Sequence, residues 1–406
     1  MMATGIQDPA ALIAGKIKEL PPLPLVVHKL LQVTGDDRSN AEDVQGVLSA
    51  DQALAGKVLK LVNSSFYGMS GEVSTISRAV VILGFAAIRN LATGLGVVGA
   101  MAQAGVGPRQ EAFWSHAITT AATAQVLAAT LGYEDPEEAF IAGLIHDIGH
   151  LILAKAMPQE FDAVAADGPW DPLEREQAAF GMAHPKVGQK LLRHWKLPDK
   201  LCHAARFHHD LKSATGGDFP LTAIIALADS LSAVQSHMFE RTLDRSGFLQ
   251  LIGELGVEVE NLAEMLTAIE VKVGETRLFL KLADVDSAAD TNGAETPARR
   301  IVVLSTDPLV ASWLRQVMNH FGHTLVPMKG FFATAGDGSA PDLIILDQES
   351  ISPPQLQKMK SVLVRHQERL VAYGNATSNM EVEALGLTLP VLPVTFSRCE
   401  LEELVG

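Results

Sequence analysis

The spacing of apolar residues changes once along this chain of 406 residues, and the change separates two kinds of structure. Before residue 284, apolar residues recur at helical spacing and alternating β-branched runs are few. After residue 298, short β-rich runs such as Ile301-Val-Val-Leu304 alternate with helical stretches such as Leu309 to Phe321. Strands that alternate with helices favour a parallel sheet covered on both faces. The sequence therefore predicts a multidomain protein in which an all-α module precedes an α/β domain.

Composition places the boundaries between these parts. Residues 1–98 and 99–283 both have the helical pattern, and residues 284–298 contain hardly any large apolar side chain, which is typical of a linker. Residues 299–406 form the predicted α/β domain. Its later predicted strands are Leu343–Leu346, Leu370–Tyr373 and Leu389–Val394.

The bulk composition limits the classes of function. A net charge of -15 argues against a general nucleic-acid binder, which needs a basic surface to contact phosphates. Two distant cysteines, Cys202 and Cys399, exclude a disulfide framework and fit a reducing cytoplasm. No signal peptide opens the chain and polar residues break every apolar run, so we expect a cytoplasmic protein with no membrane insertion.

Histidines and aspartates occur at unusual places between residues 116 and 229. His146 and Asp147 lie in the segment Gly143–His150, which the pattern predicts to be inside an otherwise apolar helix. Asp229 directly follows the apolar run Ala223–Ala228. A buried carboxylate needs a partner, a metal or a solvent-lined cleft, because burying it alone is costly. Neutral imidazole and carboxylate together are natural ligands for Fe, Mn, Zn or Ni.

One histidine alone is more often an ordinary core or surface residue, and we assign His194, His203 and His237 to that class. The joint set is different, because its members all lie on helices or at helix ends. We predict a metal site at His116, His146, Asp147 and Asp229, with a second candidate site at His184, His208 and His209.

These residues resemble the H…HD…D signature of the HD superfamily of metal-dependent phosphohydrolases. His184 and His208-His209 fall where the HD-GYP branch has the ligands of a second metal. Further motifs resemble the HDOD family over roughly Ile17 to Val234. Those motifs are Leu20-Pro-Pro-Leu-Pro24, Ser49-Ala-Asp-Gln-Ala-Leu54, Leu59–Gly68, Ile82-Leu-Gly-Phe85 and His184-Pro with Trp195-Lys-Leu-Pro198.

Two departures from the related patterns bear on catalysis. His150 stands where a lysine usually follows His-Asp-Ile-Gly, and Ala179–His184 contains no Gly-Tyr-Pro element. A group that is mostly neutral at pH 7 therefore replaces a cation that could neutralise phosphate.

Residues 299–406 resemble a response-regulator receiver, which implies a flavodoxin-like α/β fold. Asp347 lies where receivers carry the phosphoacceptor. A working receiver also needs an acidic pair after its first strand, and those positions are Ser305 and Thr306 with Asp307 beside them. Val394 replaces the late lysine. We therefore predict a degenerate phosphoacceptor and a domain that binds partner proteins.

Three functions remain open at this point. The resemblance to HDOD proteins, which are generally regarded as regulators, favours a non-catalytic or weakly catalytic scaffold that binds a metal and signalling proteins. The ligand set also fits a metal-dependent phosphodiesterase acting on a cyclic dinucleotide or another nucleotide, or a sensor whose shape changes on binding a nucleotide or metal. We expect no organic cofactor, and a homodimer is compatible with each function.

Overall fold

The structure is a computed structural model of the chain. It describes residues 8–34, 39–64, 67, 72–104, 110–166, 172–215, 220–235, 245–258, 262–282, 298–326, 341–347, 349–373, 387, 389–392 and 401. The chain forms two compact units, the first made of residues 1–232 and 269–289 and the second of residues 233–268 and 290–406. Residues 233–268, which the sequence pattern groups with the helical module, thus belong to the second unit. Nearly all of the predicted linker 284–298 lies outside the described residues.

The described part of the first unit is helical. Its helices are α1 (Pro9–Glu19), α2 (Leu25–Val33), α3 (Ala41–Leu48), α4 (Gln52–Val62), α5 (Ile76–Ala104), α6 (Gln110–Thr130), α7 (Pro136–Ile145), α8 (Ile148–Ala156), α9 (Pro158–Ala166), α10 (Pro172–Phe180), α11 (His184–His194), α12 (Asp199–Phe207), α13 (Leu211–Thr215) and α14 (Pro220–Gln235). α15 (Arg245–Leu255) belongs to the second unit, and α16 (Leu262–Leu282) contributes residues to both.

Local sequence sets several helix starts. The Asn40 side chain caps α3 by accepting hydrogen bonds from the backbone N–H groups of Glu42 and Asp43. The Asp43 side chain in turn accepts the backbone N–H of Asn40. This reciprocal arrangement gives partners to amides that a helix start otherwise leaves without them. Asp135 accepts the N–H of Glu138 at the start of α7, where Pro136 is the first helical residue.

The segment around His146 and Asp147 differs from the sequence prediction. The pattern predicts one continuous helix there, but the structure has a turn at these two residues, with α7 before them and α8 after them. Asp147 has φ -97° and ψ 11°, a sparsely populated backbone region where active-site residues are often found. The prediction was wrong because the apolar residues continue across the turn, so periodicity alone does not reveal it.

Two glycines allow α8 and α11 to pack closely. A Cβ atom added at Gly149 would overlap the carbonyl oxygen of His184 and lie 2.8 Å from the amide nitrogen of Gly188. Glycine at 149 is therefore needed for the backbones to approach at this crossing. The crossing brings the start of α11, which carries His184, to the His146–Asp147 turn.

The second unit contains a five-stranded parallel sheet. Its strands are β1 (Arg300–Leu304), β2 (Thr324–Val326), β3 (Leu343–Asp347), β4 (Leu370–Tyr373) and β5 (Val391–Leu392), in the order β2-β1-β3-β4-β5. The associated helices are α17 (Pro308–His320) and α18 (Pro353–Arg365). Sequence reasoning missed β2, which is three residues long and only partly buried, so it has no apolar run of its own. The predicted fourth run gives the two residues of β5.

The core of the second unit lies between this sheet and its helices. Leu356 and Leu363 of α18 join strand residues such as Val302 and Ile344 in one buried apolar cluster. β3 is buried along its whole length, as expected for a central strand of a parallel sheet.

Two segments of the described chain are long and apolar enough to cross a membrane, judged by length and composition alone. They are Ile76–Gln103 and Pro136–Ala156, and most of their residues are buried inside the protein. The first is interrupted at Gly84, whose φ of 86° is not helical, and the second contains the His146–Asp147 turn. A mostly buried core helix passes the same test of length and composition, so these two segments are weak evidence for a membrane span.

Candidate metal centre

The seven predicted ligands lie close together inside the first unit. Three helices, one turn between helices and the end of a further helix supply them. His116 lies on α6, His146 and Asp147 in the turn between α7 and α8, His184 at the first residue of α11, His208 and His209 directly after α12, and Asp229 on α14. The side chains of all seven are no more than 4% exposed.

Asp147 is at the middle of this cluster, and its two oxygens contact different histidines. Oδ2 lies 3.4 Å from Nε2 of His116 and 3.3 Å from Nε2 of His146. Oδ1 lies 3.2 Å from Nε2 of His184 and 3.2 Å from Nε2 of His208. The carboxylate therefore connects two separate pairs of imidazoles.

Asp229 contacts the first pair of histidines as well. Its Oδ1 lies 3.0 Å from Nε2 of His116 and 3.6 Å from Nε2 of His146. Its Oδ2 lies 3.9 Å from Nδ1 of His209, whose Nε2 is 3.2 Å from Nε2 of His184. Three candidate ligand groups occur among the described residues. Two of them share Asp147: His116, His146, Asp147 and Asp229 in one, and Asp147, His184, His208 and His209 in the other. The third group is His150, Glu176 and His184.

The other ring nitrogens of three histidines contact oxygen acceptors. The Nδ1 distances are 2.7 Å from His146 to the Gly143 carbonyl, 3.1 Å from His208 to the Ala204 carbonyl and 2.8 Å from His184 to Glu176 Oε2. A carbonyl or carboxylate oxygen can only accept, so each Nδ1 carries the hydrogen. In the neutral ring, Nε2 then has a lone pair that faces a carboxylate oxygen.

Burial and charge shift the pKa values of this cluster in opposite directions. Burial lowers the pKa of His146, but Asp147 and Asp229 outweigh it and raise that pKa to about 10. The pKa of His116 is raised in the same way. Burial lowers the pKa values of His208 and His209, because it disfavours the protonated imidazole. Repulsion from neighbouring histidines lowers these pKa values further. The two halves of the cluster thus differ electrostatically.

Glu176 is a further member of the site that sequence reasoning missed. It lies on α10, is 1% exposed, and accepts both the backbone N–H and Nδ1–H of His184. Burial raises its pKa, but His184 and His150 outweigh this and hold the pKa below its usual range. The sequence contains one signal that could have identified Glu176. It lies between Leu173 and Phe180 at helical spacing, where an apolar residue is expected, so its carboxylate should be buried and in need of a partner.

The histidines assigned to ordinary roles do not join the cluster where they are described. His194 is exposed, and His203 contacts the Thr222 hydroxyl at 2.9 Å through Nδ1. His237 lies outside the described residues.

In the second unit, Asp347 is fully buried at the end of β3. Ser305 donates a hydrogen bond of 2.6 Å to Asp347 Oδ2, and the Ser350 hydroxyl accepts from the Thr306 amide at 3.0 Å. Asp307 Oδ1 accepts the N–H of Leu309 at 2.9 Å at the start of α17. Asp307 is therefore engaged as a helix cap. Val394 lies outside the described residues.

Comparison with known proteins identifies the helical module. The sequence profile of the HDOD domain matches residues 20–211. A crystal structure of a candidate phosphohydrolase from Shewanella amazonensis SB2B is 30% identical, with a TM-score of 0.54 over 67% of this chain and 98% of that one. An HDOD domain protein of unknown function from Geobacter sulfurreducens is 24% identical, with a TM-score of 0.55 over 67% of this chain and 99% of that one, which shows a common fold.

Curated relatives share a smaller part of their length. An uncharacterized protein of Treponema pallidum (strain Nichols) is 29% identical over 224 residues, which are 54% of this chain and 43% of the relative. Ribonuclease Y of Rhodopirellula baltica is 32% identical over 130 residues, which are 32% of this chain and 20% of the relative. The chain thus spans less than half of each of these two proteins. The HDOD profile, together with the structural relatives, shows that residues 20–211 of this chain form an HDOD domain.

Proposed function

We propose that this protein is a signalling regulator whose HDOD module holds a buried two-metal centre and acts through partner proteins, with little or no catalysis. The observation that carries the proposal is the arrangement around Asp147. Each of its oxygens lies within 3.4 Å of two imidazole Nε2 atoms.

The donor atoms fit a metal in their chemistry. Nε2 of His146 has no hydrogen-bond partner among the described residues, although it lies 3.3 Å from Asp147 Oδ2. A lone pair and a carboxylate oxygen repel each other, and either a proton or a cation between them removes the repulsion. The same conflict occurs between Asp147 Oδ1 and both His184 and His208. A metal ion in each group satisfies all of these lone pairs at once.

The distances fit as well. Ligands that lie about 2.1 Å from one metal are separated by about 3.0 to 3.4 Å in octahedral and tetrahedral geometry. Most of the imidazole-to-carboxylate distances around Asp147 and Asp229 fall in this range. His116, His146, Asp147 and Asp229 would hold one ion, and Asp147, His184, His208 and His209 the other. Bound in this way, divalent Fe, Mn, Zn or Ni would supply Lewis acidity toward a phosphate ester.

The surroundings of the cluster support regulation over turnover. The side chains of all seven proposed ligands are at most 4% exposed, so the cluster itself presents little surface to a bulky phosphodiester. His150, which stands where the His-Asp-Ile-Gly pattern is usually followed by a lysine, is also buried and contacts Glu176. A buried centre of this kind stabilises the folded state that binds it and can couple metal occupancy to the shape of the module.

The second candidate function is phosphohydrolysis, and the shared carboxylate favours it. Paired metals bridged by protein ligands are common in enzymes that cleave phosphate esters. The Shewanella relative carries a phosphohydrolase name, and two curated relatives are called ribonuclease Y. We expect no robust hydrolysis of cyclic dinucleotides by the metal-loaded protein. A metal-dependent rate that His146→Ala abolishes would favour the enzyme over the scaffold.

We further propose that residues 299–406 adopt a flavodoxin-like, receiver-like fold that docks partner proteins or a second copy of the chain. The strand order β2-β1-β3-β4-β5 is that of flavodoxin-like folds. The hydrogen bond from Ser305 to the buried Asp347 supports a structural role for that carboxylate. A cytoplasmic location belongs to the same proposal, because two cysteines far apart in the sequence fit a reducing compartment.

The test is elemental analysis of the full-length protein purified without oxygen and without chelators. We expect about two transition-metal ions per chain. Asp147→Ala should lose both ions because it removes the ligand that the two groups share. His203→Ala is the matched control, because this histidine contacts Thr222 and lies outside both groups. A wild-type protein that binds no metal, and whose melting temperature is unchanged by added Fe²⁺ or Mn²⁺, would contradict the proposal.

A further inference from the structure

Glu176 connects two histidines of the cluster, one of which belongs to neither proposed ligand group. Its Oε2 lies 2.8 Å from Nδ1 of His184, and its Oε1 lies 3.0 Å from Nδ1 of His150. Oε2 also accepts the backbone N–H of His184 at 2.7 Å. One buried carboxylate therefore holds two imidazoles and the first amide of α11.

These contacts fix which nitrogen of each ring carries the hydrogen. A carboxylate offers only acceptors, so a nitrogen that lies about 3 Å from it must supply the proton between them. The hydrogen bond to Glu176 thus places the hydrogen of His184 on Nδ1, and the 3.0 Å separation between His150 Nδ1 and Glu176 Oε1 favours the same tautomer for His150. In the neutral state, this tautomer has its lone pair on Nε2. Second contacts of this kind set the tautomer and the orientation of metal-binding histidines.

The two rings also point the same way. The rings of His150 and His184 are stacked, with centroids 3.9 Å apart and planes 22° from parallel. Nε2 of His184 lies 3.2 Å from Asp147 Oδ1, and Nε2 of His150 lies 3.9 Å from Asp147 Oδ2. His150 thus approaches the oxygen of Asp147 that His116 and His146 contact.

We infer that Glu176 is a positioning residue for both imidazoles and that His150 contributes a further nitrogen ligand to the metal beside Asp147 Oδ2. This inference rests on the proposed metal centre. The ligand separation requires a movement of about 0.5 Å by His150, since ligands of one ion lie about 3.0 to 3.4 Å apart. An added imidazole makes this position richer in nitrogen, which favours Fe, Ni or Zn over Mg or Ca.

Cobalt titration of the metal-free full-length protein tests the inference. Co²⁺ is a suitable probe because its visible absorption reports the number and type of ligands, and a chromophoric chelator in competition gives its affinity. We expect the wild type to bind two Co²⁺ ions. His150→Leu should still bind two, but one site should change its absorption spectrum and bind about 10- to 100-fold more weakly.

Glu176→Gln tests the positioning role. Glutamine has nearly the same size, but its NH₂ group donates to one Nδ1, which forces the hydrogen onto Nε2 of that ring. The backbone N–H and Nδ1–H of His184 both need an acceptor at the Oε2 position, so the amide oxygen should face His184 and the NH₂ group should face His150. We therefore expect the cobalt site beside Asp147 Oδ2 to weaken by about 10- to 100-fold, and the other site to weaken less. Glu174→Gln is the matched control, because it makes the same chemical change at an exposed position two residues away on α10. This control should keep the wild-type spectrum and affinities.

The outcomes distinguish a failure of the proposed metal centre from a failure of the roles assigned to His150 and Glu176. A wild type that takes up no Co²⁺ contradicts the metal centre itself. If the wild type binds two ions and His150→Leu keeps the same spectrum and affinities, His150 is not a ligand and the inference is overturned. A third ion that only Glu176→Gln loses would make Glu176 a ligand and would also overturn it. If circular dichroism shows that Glu176→Gln does not fold, His150→Leu decides the ligand assignment.

Discussion

Asp147 Oδ1 lies 3.2 Å from Nε2 of His208, although the two residues are 61 positions apart in the sequence. The other oxygen of the same carboxylate lies 3.3 Å from Nε2 of the adjacent residue, His146. Because the turn between α7 and α8 interrupts the helix here, consecutive side chains can contact the same cluster. Asp147 is therefore the residue on which both halves of the proposed centre depend.

The two halves should be separable by mutation. Asp229 contacts His116 and His146, so Asp229→Ala should remove the first ion and leave the second. His208→Ala should have the opposite effect, because His208 contacts Asp147 Oδ1. We expect about one metal ion per chain in each variant, measured by elemental analysis. Loss of both ions from each variant, in protein that remains folded by circular dichroism, would show that the two groups do not bind independently.

Gly149 should be intolerant of any side chain. A Cβ atom at this position overlaps the His184 carbonyl, so Gly149→Ala must push α8 away from α11. We expect the free energy of unfolding to fall by about 3 kcal/mol, and metal binding to weaken because His184 moves. The control is Gly56→Ala, in helix α4, where an added Cβ meets no atom within 4 Å. That variant should be neutral or more stable by about 0.5 to 1 kcal/mol in denaturant unfolding. Equal stability of the two variants would refute the close-packing argument.

Asp347 should resist phosphorylation. The carboxylate is buried and accepts from Ser305, while Asp307 caps α17, so Mg²⁺ lacks the charged oxygens it prefers. Full-length protein incubated with acetyl phosphate and Mg²⁺ should show no added mass at Asp347. Glu349, an ordinary acidic residue of the same loop, serves as the control position for non-specific labelling. Stoichiometric labelling that Asp347→Asn abolishes would show that the domain is a working receiver.

Cys202 should react slowly with alkylating reagents in the folded protein. Burial raises the pKa of its thiol to about 11, and the thiol contacts the Leu197 carbonyl. Since only the thiolate reacts, the rate at pH 8 should be far below that of an exposed cysteine and should rise as the pH approaches 11. The measurement uses a Cys399→Ser background, so that Cys202 is the one thiol present. Rapid labelling at pH 8 without denaturant, at the rate seen in guanidinium chloride, would contradict this expectation.

The sequence by itself determined the class of each part and singled out the candidate ligands. Apolar spacing separated the helical part from the parallel sheet, because helices and strands repeat with different periods. Asp147 and Asp229 were noticeable because a carboxylate in an apolar segment requires compensation. The ligand roles of these residues, and the boundaries of the domains, remain predictions.

Only the tertiary structure decided how the donors group. Periodicity describes neighbours along one helix, so it could not reveal that Asp147 lies between pairs of imidazoles from four separate segments. Periodicity also predicted a continuous helix where the chain turns at His146 and Asp147. The residues before and after the turn are both buried and apolar, so the pattern continues across it. The role of Glu176 could not be predicted either, because it depends on contacts with His150 and His184 that form only when α8, α10 and α11 pack together. Long-range packing thus set the geometry of the candidate site, whereas the sequence alone had identified its seven candidate ligand residues.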